Sequence, residues 1–453
     1  MSEPVDVVVI GMGPGGEEVA GSLAQAGLKV VGVERKLLGG ECPYWGCVPS
    51  KMMIRAADLV TEARRVPALA GRSTVEPDWR PVARRIREQA TDTWNDQVAV
   101  DRFEGKGGVF MRGAGHLVGP QEVRVSDRAF TITRAIVLAT GTDPVVPPIP
   151  GLRQVPYWTN REAIEAEDLP TSMVVLGGGA VGLELAQVFA RFGVLVTVVE
   201  MADRLLPLEE PEAGALLESV LIEQGITVRC GVQAVGVRLD RMRTAVELDG
   251  GEVVTADRLL VATGRRTNLP DLGLGAAGLD PDARFIGVDD HMRAAPGIWG
   301  VGDITGHGMF THMAMYQAGI AVADILGREA PGADYRTVPR VTFTDPEVGA
   351  AGLTEETARE RGMRVRTGIA QVPSTARGWI HGVGNQGFIK LVEDADRQVL
   401  VGATSAGPWG GEVLSALAVA IHAEVPIARL RQMIYAYPTF HRGIEDALRN
   451  LAA

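Results

Sequence analysis

The chain opens with a short apolar run, a glycine-rich turn and a helical pattern. Val5–Ile10 is almost continuously apolar, which is typical of a strand buried on both faces. A helical segment then runs through Ala26, and a second apolar run, Val30–Val33, ends in the acidic residue Glu34. The turn between the first run and the helix contains Gly11, Gly13 and Gly16. The pattern predicts a strand–helix–strand unit.

The chemistry of this unit follows from its G-x-G-x-x-G spacing. The glycines permit a tight turn and let backbone amides approach a pyrophosphate at the helix N-terminus. Glu34 lies about 20 positions further on, where an acidic side chain accepts hydrogen bonds from ribose hydroxyls. Because all these features occur in register, we interpret the unit as a dinucleotide-binding βαβ rather than a structural glycine turn.

The same pattern returns about 170 residues later. The strand Met173–Leu176 precedes a helix that reaches Phe192, and the strand Val194–Val199 ends at Glu200. The turn between the first strand and the helix contains Gly177, Gly179 and Gly182. The repetition indicates an internal duplication of the binding unit.

The second acidic residue bears on which nicotinamide cofactor binds. A carboxylate at this position favours a free ribose 2′-hydroxyl, so Glu200 indicates NADH. Arg204 is close enough in sequence to serve a 2′-phosphate instead, and that alternative stays open. Two dinucleotide sites in one chain predict a nicotinamide that delivers hydride and a flavin that receives it.

Bulk properties narrow the class of protein. A length of 453 residues suggests about three domains. The hydrophobic content of 46%, with no apolar run of about 18 residues, predicts a globular protein that does not cross a membrane. The net charge of -11 argues against nucleic acid as a partner. We expect a cytoplasmic protein, because the N-terminus lacks a signal-peptide pattern, and three cysteines exclude a secreted disulfide framework.

Two of those cysteines stand five residues apart. Cys42 and Cys47 lie in a segment reading GGECPYWGCVPSK, just after the first βαβ unit. They could be buried thiols or half of a zinc site, but no second Cys/His pair has ligand spacing. The segment resembles the redox-active C-x-x-x-x-C motif of the pyridine nucleotide-disulfide oxidoreductases, the family of dihydrolipoamide dehydrogenase, glutathione reductase and mercuric reductase. A helix that begins near Pro49 would favour the thiolate form of Cys47.

The resemblance covers nearly the whole chain and implies roles for further residues. It makes Cys42 the thiol that exchanges with substrate and Cys47 the charge-transfer thiol against the flavin. It places Lys51 near the flavin N5, paired with Glu184, for which a plain surface salt bridge is the alternative. No metal site is expected.

The resemblance also implies cofactor contacts outside the two glycine turns. Gly300–Asp303 is similar to the family's second flavin motif, in which the aspartate contacts the ribityl chain. Thr311–Ala314 resembles the helix start beneath the isoalloxazine ring. Ala139–Gly141 and Ala262–Gly264 resemble the points where the chain crosses between domains. The cofactor-binding residues implied here are Gly40, Thr140, Gly141, Gly264, Gly302, Asp303 and Ala314.

The fold class implied is α/β, with two Rossmann-like dinucleotide-binding domains, for FAD and NAD, and a C-terminal α+β dimerisation domain. The expected boundaries are 1–148 for the first part of the FAD domain, 149–267 for the NAD domain, 268–335 for the second part of the FAD domain and 336–453 for the interface domain. The segment Phe343–Gly349 resembles the opening of that interface domain. This implies a homodimer whose active sites are shared between the subunits.

The C-terminus departs from the family pattern H-P-T-x-x-E, which supplies a histidine acid/base and a glutamate that orients it. Tyr437 stands in place of the histidine and Arg442 in place of the glutamate. An ordinary tyrosine, with a pKa of about 10, does not cycle protons at neutral pH as imidazole does. His441 and Glu445 are spaced to form a displaced acid/base couple on one helix face. Arg442 could equally bind an anionic substrate.

Two smaller features bear on the substrate. Pro43, Tyr44 and Trp45 replace smaller residues between the cysteines, and this bulk either shapes a pocket for a planar acceptor such as a quinone or simply packs the core. Cys230 follows the strand Ile226–Arg229 and is interpreted as a small buried hydrophobe.

Three functions are compatible with these residues. The leading one is an NADH:disulfide oxidoreductase, similar to dihydrolipoamide dehydrogenase, that acts on a small or carrier-bound disulfide. The alternative is an NAD(P)H diaphorase that reduces a quinone, a metal ion or a second nicotinamide, because the family histidine and glutamate are replaced. The third is a catalytically quiet subunit of a larger complex, against which the intact cysteines and Glu200 argue.

Overall fold

A computed structural model describes residues 2–451. Within this range the chain forms 22 strands and 14 α-helices. The strands β1 to β22 are, in chain order, Glu3–Ile10, Val30–Glu34, Val109–Arg112, Gly115–Gly119, Glu122–Val125, Arg128–Leu138, Thr142–Pro144, Ser172–Leu176, Leu195–Val199, Thr227–Arg229, Ala234–Asp240, Arg243–Leu248, Val253–Ala256, Arg258–Val261, Arg265–Thr267, Arg293–Ala295, Ile298–Gly300, Arg340–Thr342, Glu347–Gly352, Val365–Gln371, Phe388–Asp394 and Val399–Gly407. The helices α1 to α14 are Pro14–Gln25, Glu41–Trp45, Cys47–Leu69, Arg80–Arg85, Gln97–Glu104, Asn160–Glu165, Ala180–Arg191, Pro211–Glu223, Thr311–Ile325, Glu355–Glu360, Ala376–His381, Gly410–His422, Ile427–Gln432 and Gly443–Arg449.

The chain divides into two units. The first contains the residues up to Pro49 together with Arg84–Val145 and Arg265–Tyr335. The second contains Ser50–Ala83, Val146–Gly264 and the residues from Arg336 onward. The finer, four-part division expected from the sequence stays a prediction.

The first unit is built on an eight-stranded sheet whose central order is β16-β17-β6-β1-β2-β3. β1 pairs in parallel with both β2 and β6, and it is buried on both faces because its side chains are almost all apolar. Parallel neighbours need a crossover connection, and α1 provides it between β1 and β2. Gly11 and Glu34 therefore lie at the same edge of the sheet, where β1 and β2 end.

The second unit repeats this arrangement in a four-stranded parallel sheet with the order β10-β9-β8-β14. The helix α7 connects β8 to β9 and, like α1, has 12 residues. Both helices begin after a glycine with extended backbone, Gly13 for α1 and Gly179 for α7. The sequence duplication is thus a structural duplication. A separate antiparallel sheet of β11, β12 and β13 lies in the same unit.

The C-terminal part of the second unit is a five-stranded antiparallel sheet with the order β18-β19-β22-β21-β20. The helices α12 and α14 pack on it through buried side chains such as Leu414, Leu417, Ile444 and Leu448. One mixed sheet with a parallel centre, one parallel sheet, a glycine turn in each, and a C-terminal α+β part confirm the predicted fold class.

Candidate active site

Cys42 and Cys47 lie together where two helices meet. Cys42 is the second residue of α2, and the preceding Gly40 has a positive φ of 69°. Cys47 is the first residue of α3, so the helix predicted to begin near Pro49 begins slightly earlier. Both cysteines are present as thiols, and their side chains are hydrogen-bonded to each other. Cys42 is half-buried, whereas Cys47 is exposed.

A threonine hydroxyl contacts this pair. Thr311 Oγ1 lies 3.4 Å from Cys47 Sγ and is also hydrogen-bonded to Cys42. The pKa of Cys42 is raised, first by its hydrogen bond to Cys47 and then by burial, while the bond to Thr311 acts in the opposite direction. The raised pKa means that the Cys42 thiol holds its proton more tightly than a free thiol does. The sequence predicts the helix start at Thr311 but carries no signal of this contact.

The first glycine turn leaves the start of α1 open. A Cβ at Gly16 would lie 1.9 Å from the Gly11 carbonyl oxygen, so glycine is required where helix and strand approach each other. An added Cβ at Gly13 would meet no atom within 4 Å, so the first amides of α1 stay accessible to a phosphate group. Glu34 Oε2 accepts a hydrogen bond from Met12 N at 2.9 Å, which holds the carboxylate at the edge of the turn.

Close approach also brings the cysteine segment to this turn. A Cβ at Gly40 would lie 2.8 Å from Gly13 Cα. The helix α9 approaches from another side, since a Cβ at Gly15 would lie 3.1 Å from Ala314 Cβ. The predicted contacts Gly13, Gly40 and Ala314 are therefore neighbours in space.

The second flavin motif lies within the same unit. Asp303 Oδ2 accepts a hydrogen bond from Thr142 Oγ1 at 2.6 Å, and burial raises the pKa of Asp303. Gly302 has a φ of 81° and donates its N–H to Gln317 Oε1 at 2.7 Å. The hydroxyl of Thr140 is buried and has no hydrogen-bond partner among the described residues. An open glycine turn, a buried carboxylate and an unpartnered hydroxyl fit a polar cofactor such as FAD.

The two crossover segments end in glycines with unusual backbone. Gly141 has a φ of 61° and Gly264 a φ of 111°, so each turn requires a residue without a side chain. Asn268 Nδ2 donates a hydrogen bond to Thr140 O at 3.1 Å, which fixes the first of these turns. Both turns follow buried strands, as the sequence predicts.

The second glycine turn repeats the geometry of the first. A Cβ at Gly182 would lie 2.2 Å from the Gly177 carbonyl oxygen, whereas one at Gly179 would meet no atom within 4 Å. Glu200 is buried, and its Oε2 accepts a hydrogen bond from Gly178 N at 2.5 Å. The two acidic residues of the duplication are thus held by the same kind of bond to a turn amide.

Arg204 is held on its own loop. Its Nη2 donates hydrogen bonds to the carbonyl oxygens of Pro207 at 2.9 Å and Glu209 at 3.3 Å. These bonds compete with any contact to a ribose 2′-phosphate. The alternative in which Arg204 binds a 2′-phosphate is thus weakened by the hydrogen bonds that Arg204 makes on its own loop.

Lys51 and Glu184 form a partly buried ion pair. Lys51 Nζ lies 2.7 Å from Glu184 Oε2, and the side chain of Glu184 is only 7% exposed. The pair is therefore not a fully exposed salt bridge, since its carboxylate is buried. Phe343 completes the arrangement, because its N–H donates to Glu184 Oε1 at 2.9 Å and its ring lies 4.6 Å from Lys51 Nζ. The sequence gives no signal of this role for Phe343.

The C-terminal segment holds Tyr437 through Arg442. Tyr437 is 71% exposed, and the Arg442 guanidinium lies over its ring at 5.5 Å. Arg442 Nη1 donates to Tyr435 O at 3.1 Å, and Nη2 lies 2.9 Å from Glu445 Oε2. Both terminal nitrogens of Arg442 and the face of its guanidinium are thus in contact with groups of the same segment. Arg442 stabilises the segment that carries Tyr437.

The proposed couple of His441 and Glu445 does not form. Glu445 pairs with Arg442 and Arg449, and His441 Nε2 lies 3.5 Å from Thr439 Oγ1. The spacing argument assumes one continuous helix, but Phe440–Arg442 is a 3-10 turn and α14 begins only at Gly443. His441 therefore lies outside the α-helical periodicity that would align it with Glu445.

The aromatic residues between the cysteines have two interpretations, a pocket for a planar acceptor or core packing. Tyr44 is buried, and burial, with the nearby Asp96, raises its pKa to about 12. It packs 5.9 Å from the ring of Trp45, which is half-buried. Core packing thus accounts for Tyr44.

Cys230 is partly buried in the second unit, and burial raises its pKa to about 11, so it is a poor nucleophile.

Two kinds of feature are absent from the described residues. Between residues 2 and 451, no helix combines the length and apolar character needed to span a bilayer. In the same range, no group of three or more His, Cys, Asp or Glu side chains is arranged to hold a metal ion.

Comparison with known proteins identifies the family. Residues 5–318 match the pyridine nucleotide-disulphide oxidoreductases, and residues 338–448 match the dimerisation domain of the same group. The chain belongs to this family, as the cysteine motif predicts. It is an enzyme, an FAD-dependent disulfide oxidoreductase that uses a nicotinamide dinucleotide, and its dimerisation domain supports a homodimer.

Individual relatives cover nearly the whole chain. It is 33% identical to a dihydrolipoyl dehydrogenase of Thermus scotoductus, over 98% of this chain and 97% of the relative. It is 31% identical to a mercuric reductase of Staphylococcus aureus, over 98% of this chain and 81% of the relative. Two solved structures are similar. LpdA from Mycobacterium tuberculosis has a TM-score of 0.86 with 26% identity, and a Cu(II) complex of the HOCl-induced flavoprotein disulfide reductase RclA from Escherichia coli has 0.87 with 25%. Each alignment covers 99% of this chain and 100% of the other. Together these relatives favour the disulfide reductase over the diaphorase.

Proposed function

We propose that the protein is an NADH:disulfide oxidoreductase in which electrons pass from NADH to FAD, then to Cys42 and Cys47, and finally to a substrate disulfide. The observation that carries this proposal is the hydrogen-bonded thiol pair, which lies in the same unit as the first glycine turn and closely follows Gly40, the residue that approaches Gly13. A buried structural cysteine would not need a second thiol, a hydroxyl partner and an exposed sulfur.

The cofactors are assigned to the two duplicated turns. Bound FAD supplies a two-electron relay between the nicotinamide and the cysteine pair. The proposed FAD-binding residues are Gly11, Gly13, Gly16, Glu34, Gly40, Thr140, Gly141, Gly302, Asp303 and Ala314. The proposed NAD-binding residues are Gly177, Gly179, Gly182, Glu200 and Gly264. The predicted domain boundaries follow from this assignment.

The cysteines then carry out thiol–disulfide exchange. The sulfur of Cys42, once deprotonated, attacks one sulfur of the substrate, so a mixed disulfide forms and the first substrate thiolate leaves and takes a proton. The Cys47 thiolate attacks Cys42 in turn, which closes the Cys42–Cys47 disulfide and releases the second substrate thiolate, again with uptake of a proton. Two electrons and two protons reach the substrate, and the pair is left oxidised.

Four further residues complete the proposed catalytic set. Lys51 and Glu184 are included because the family resemblance assigns them to the flavin; the charge of Lys51 is balanced by the buried Glu184, which Phe343 N holds in place. The proposed proton-transfer groups are Tyr437 and the imidazole of His441. His441 acts without help from Glu445. Their segment is exposed on the second unit, which suits a site completed by the partner subunit.

The dimer is proposed to form on the C-terminal part of the second unit. Large side chains are exposed there to an extent that is unusual for a monomer surface. The exposed fraction is 78% for Trp379, 52% for Trp409, 47% for Met433 and 96% for Ile434. The occupant is a second copy of this chain, since these residues belong to the dimerisation domain. A cytoplasmic location is proposed as well, because a thiol pair that works by cycling suits a reducing compartment.

The test is an anaerobic titration of the flavin-loaded protein with NADH, followed in the visible spectrum. The wild type should develop a long-wavelength charge-transfer band, and Cys47→Ser should lack it. Cys230→Ser is the matched control, because it removes a thiol of the second unit, and it should keep the band. Direct bleaching of the flavin without the band in all three proteins would contradict the proposal and favour the diaphorase.

A further inference from the structure

The loop of residues 200–210 joins β9 to α8 in the second unit and begins with Glu200. Both carboxylate oxygens of Glu200 accept backbone hydrogen bonds, Oε2 from Gly178 N at 2.5 Å and Oε1 from Ala202 N at 2.7 Å. The loop then returns to the same glycine turn, because Leu206 N donates to Gly178 O at 3.0 Å. The position of the Glu200 carboxylate therefore depends on the path of this loop.

Within the loop, the side chain of Arg204 is turned back onto the backbone. Its Nη2 donates to Pro207 O at 2.9 Å and to Glu209 O at 3.3 Å. Its Nε is buried and has no hydrogen-bond partner among the residues that the structure describes. A guanidinium has several N–H donors and binds phosphate oxygens in pairs. Arg204 thus has the chemistry to bind a phosphate group, but the loop engages it elsewhere.

The far end of the loop is held by the dimerisation part of the same unit. Glu209 Oε1 accepts a hydrogen bond from Arg340 Nε at 2.6 Å, and the Glu209 side chain is only 12% exposed. Arg340 is the first residue of β18, which is paired with β19. Arg340 therefore binds the side chain of the residue whose carbonyl oxygen binds Arg204. The bond from Arg340 keeps that carbonyl oxygen within reach of Arg204.

A buried lysine provides a second anchor next to the first. Lys390 lies in β21, and its Nζ is within 3.0 Å of a carboxylate oxygen of Glu210, of Glu212 and of Glu355. Glu210 is buried, and its Oε1 accepts the N–H of Glu355 at 2.7 Å. Because this second anchor stays in place when the bond from Arg340 is cut, the loss of that bond should loosen the loop without detaching α8.

We propose that Arg340 is a positioning residue for nucleotide specificity, because its bond to Glu209 keeps Arg204 on its own loop and leaves Glu200 as the charged side chain at the ribose. A carboxylate accepts a hydrogen bond from a free 2′-hydroxyl and repels a 2′-phosphate, whereas a released arginine beside it attracts that phosphate. The preference for NADH over NADPH is thus maintained from the dimerisation part of the chain. This inference rests on the proposed function, since it takes the second glycine turn as the NADH site.

The experiment is isothermal titration calorimetry of the flavin-loaded protein with NAD+ and with NADP+, which bind without reducing the flavin. The wild type should bind NAD+ more tightly. Arg340→Gln should lower the ratio of the NADP+ Kd to the NAD+ Kd about tenfold, because a hydrogen bond to a charged phosphate is strong. Arg204→Ala, alone or combined with Arg340→Gln, should keep the ratio within about twofold of the wild-type value, because the arginine that would bind the phosphate is gone.

Arg366→Gln is the matched control. Arg366 Nη2 lies 2.6 Å from Glu393 Oε1, so this pair also joins a partly exposed arginine to a buried carboxylate in the dimerisation part. Its members lie in β20 and β21, away from the loop in sequence. Both substitutions of arginine by glutamine should lower the Tm, but only Arg340→Gln should change the ratio of the two Kd values.

Three results would overturn the inference while the NADH preference of the wild type, and with it the proposed function, stands. They are an unchanged ratio in Arg340→Gln, an equal change in Arg366→Gln, and an equal fall in the ratio when Arg204 is absent. If the wild type binds NADP+ more tightly than NAD+, the proposed cofactor is wrong and the inference fails with it. Glu209→Ala cuts the same contact from the loop side. It takes the place of Arg340→Gln if that variant does not fold, with the same expected ratio.

Discussion

A methyl group added at Gly182 should lower the stability of the protein, whereas one added at Gly179, in the same turn, should weaken NADH binding. A Cβ at Gly182 would lie 2.2 Å from the Gly177 carbonyl oxygen, a distance that real Cβ atoms essentially never show. Because the obstacle is backbone, α7 must move away from β8. A Cβ at Gly179 would meet nothing within 4 Å, and the backbone there is extended, with a φ of -84° that any residue adopts.

The magnitudes follow from these two environments. Overpacking of a close contact costs about 1–3 kcal/mol, and the better helix propensity of alanine offsets at most about 1 kcal/mol of this. For a unit of this size, each kcal/mol lowers the Tm by about 2–4 °C, so Gly182→Ala should lose several degrees. Gly179→Ala should keep the Tm of the wild type. Its methyl group would instead occupy the space through which a pyrophosphate approaches the amides of α7, so the Kd for NADH should rise at least about tenfold.

The assay is thermal unfolding of the flavin-loaded protein with and without NADH, together with a direct NADH titration. Binding raises the Tm by an amount that depends on the ratio of NADH concentration to Kd. The wild type should therefore be stabilised by NADH, and Gly179→Ala should lose that stabilisation while its Tm without NADH is unchanged. If Gly182→Ala unfolds at the temperature of the wild type, or Gly179→Ala is as unstable as Gly182→Ala, the steric reasoning is refuted.

Two further predictions concern single side chains. Phe343→Leu keeps the N–H that binds Glu184 but removes the ring beside Lys51, so the chemical denaturation midpoint should report a loss of about 0.5–1 kcal/mol, whereas Phe343→Tyr should lose nothing. A double-mutant cycle with Lys51→Met measures the coupling, and a coupling of zero would contradict the assignment. Asp303→Asn should stabilise the flavin-free protein increasingly as the pH rises above the ordinary range of Asp, near pH 4. Burial raises the pKa of Asp303 in the folded protein. Protonated Asp303 therefore stabilises the wild type at low pH, and this stabilisation is lost as the pH rises through the pKa that Asp303 has in the folded state. A Tm difference between variant and wild type that shrinks with rising pH would show that the carboxylate is not penalised by burial.

The sequence alone was sufficient to predict those features whose residues lie close together in the chain. Each dinucleotide-binding unit is a strand, a turn, a helix and a second strand, so its glycines and its acidic residue are fixed by short-range geometry. The paired bonds of Glu34 to Met12 N and of Glu200 to Gly178 N lie within such units. The cysteine pair is local as well, because a single turn separates Cys42 from Cys47.

The tertiary structure decided the contacts between distant segments. The hydroxyl of Thr311 reaches Cys47 across 264 positions, and Phe343 reaches Glu184 across 159. No periodicity encodes such pairs, because they depend on how separate elements pack. The same reason explains the failure at the C-terminus, where the spacing of His441 and Glu445 suggested a shared helix face. The chain instead forms a 3-10 turn before α14, and the carboxylate of Glu445 binds Arg442, whose guanidinium packs against the ring of Tyr437.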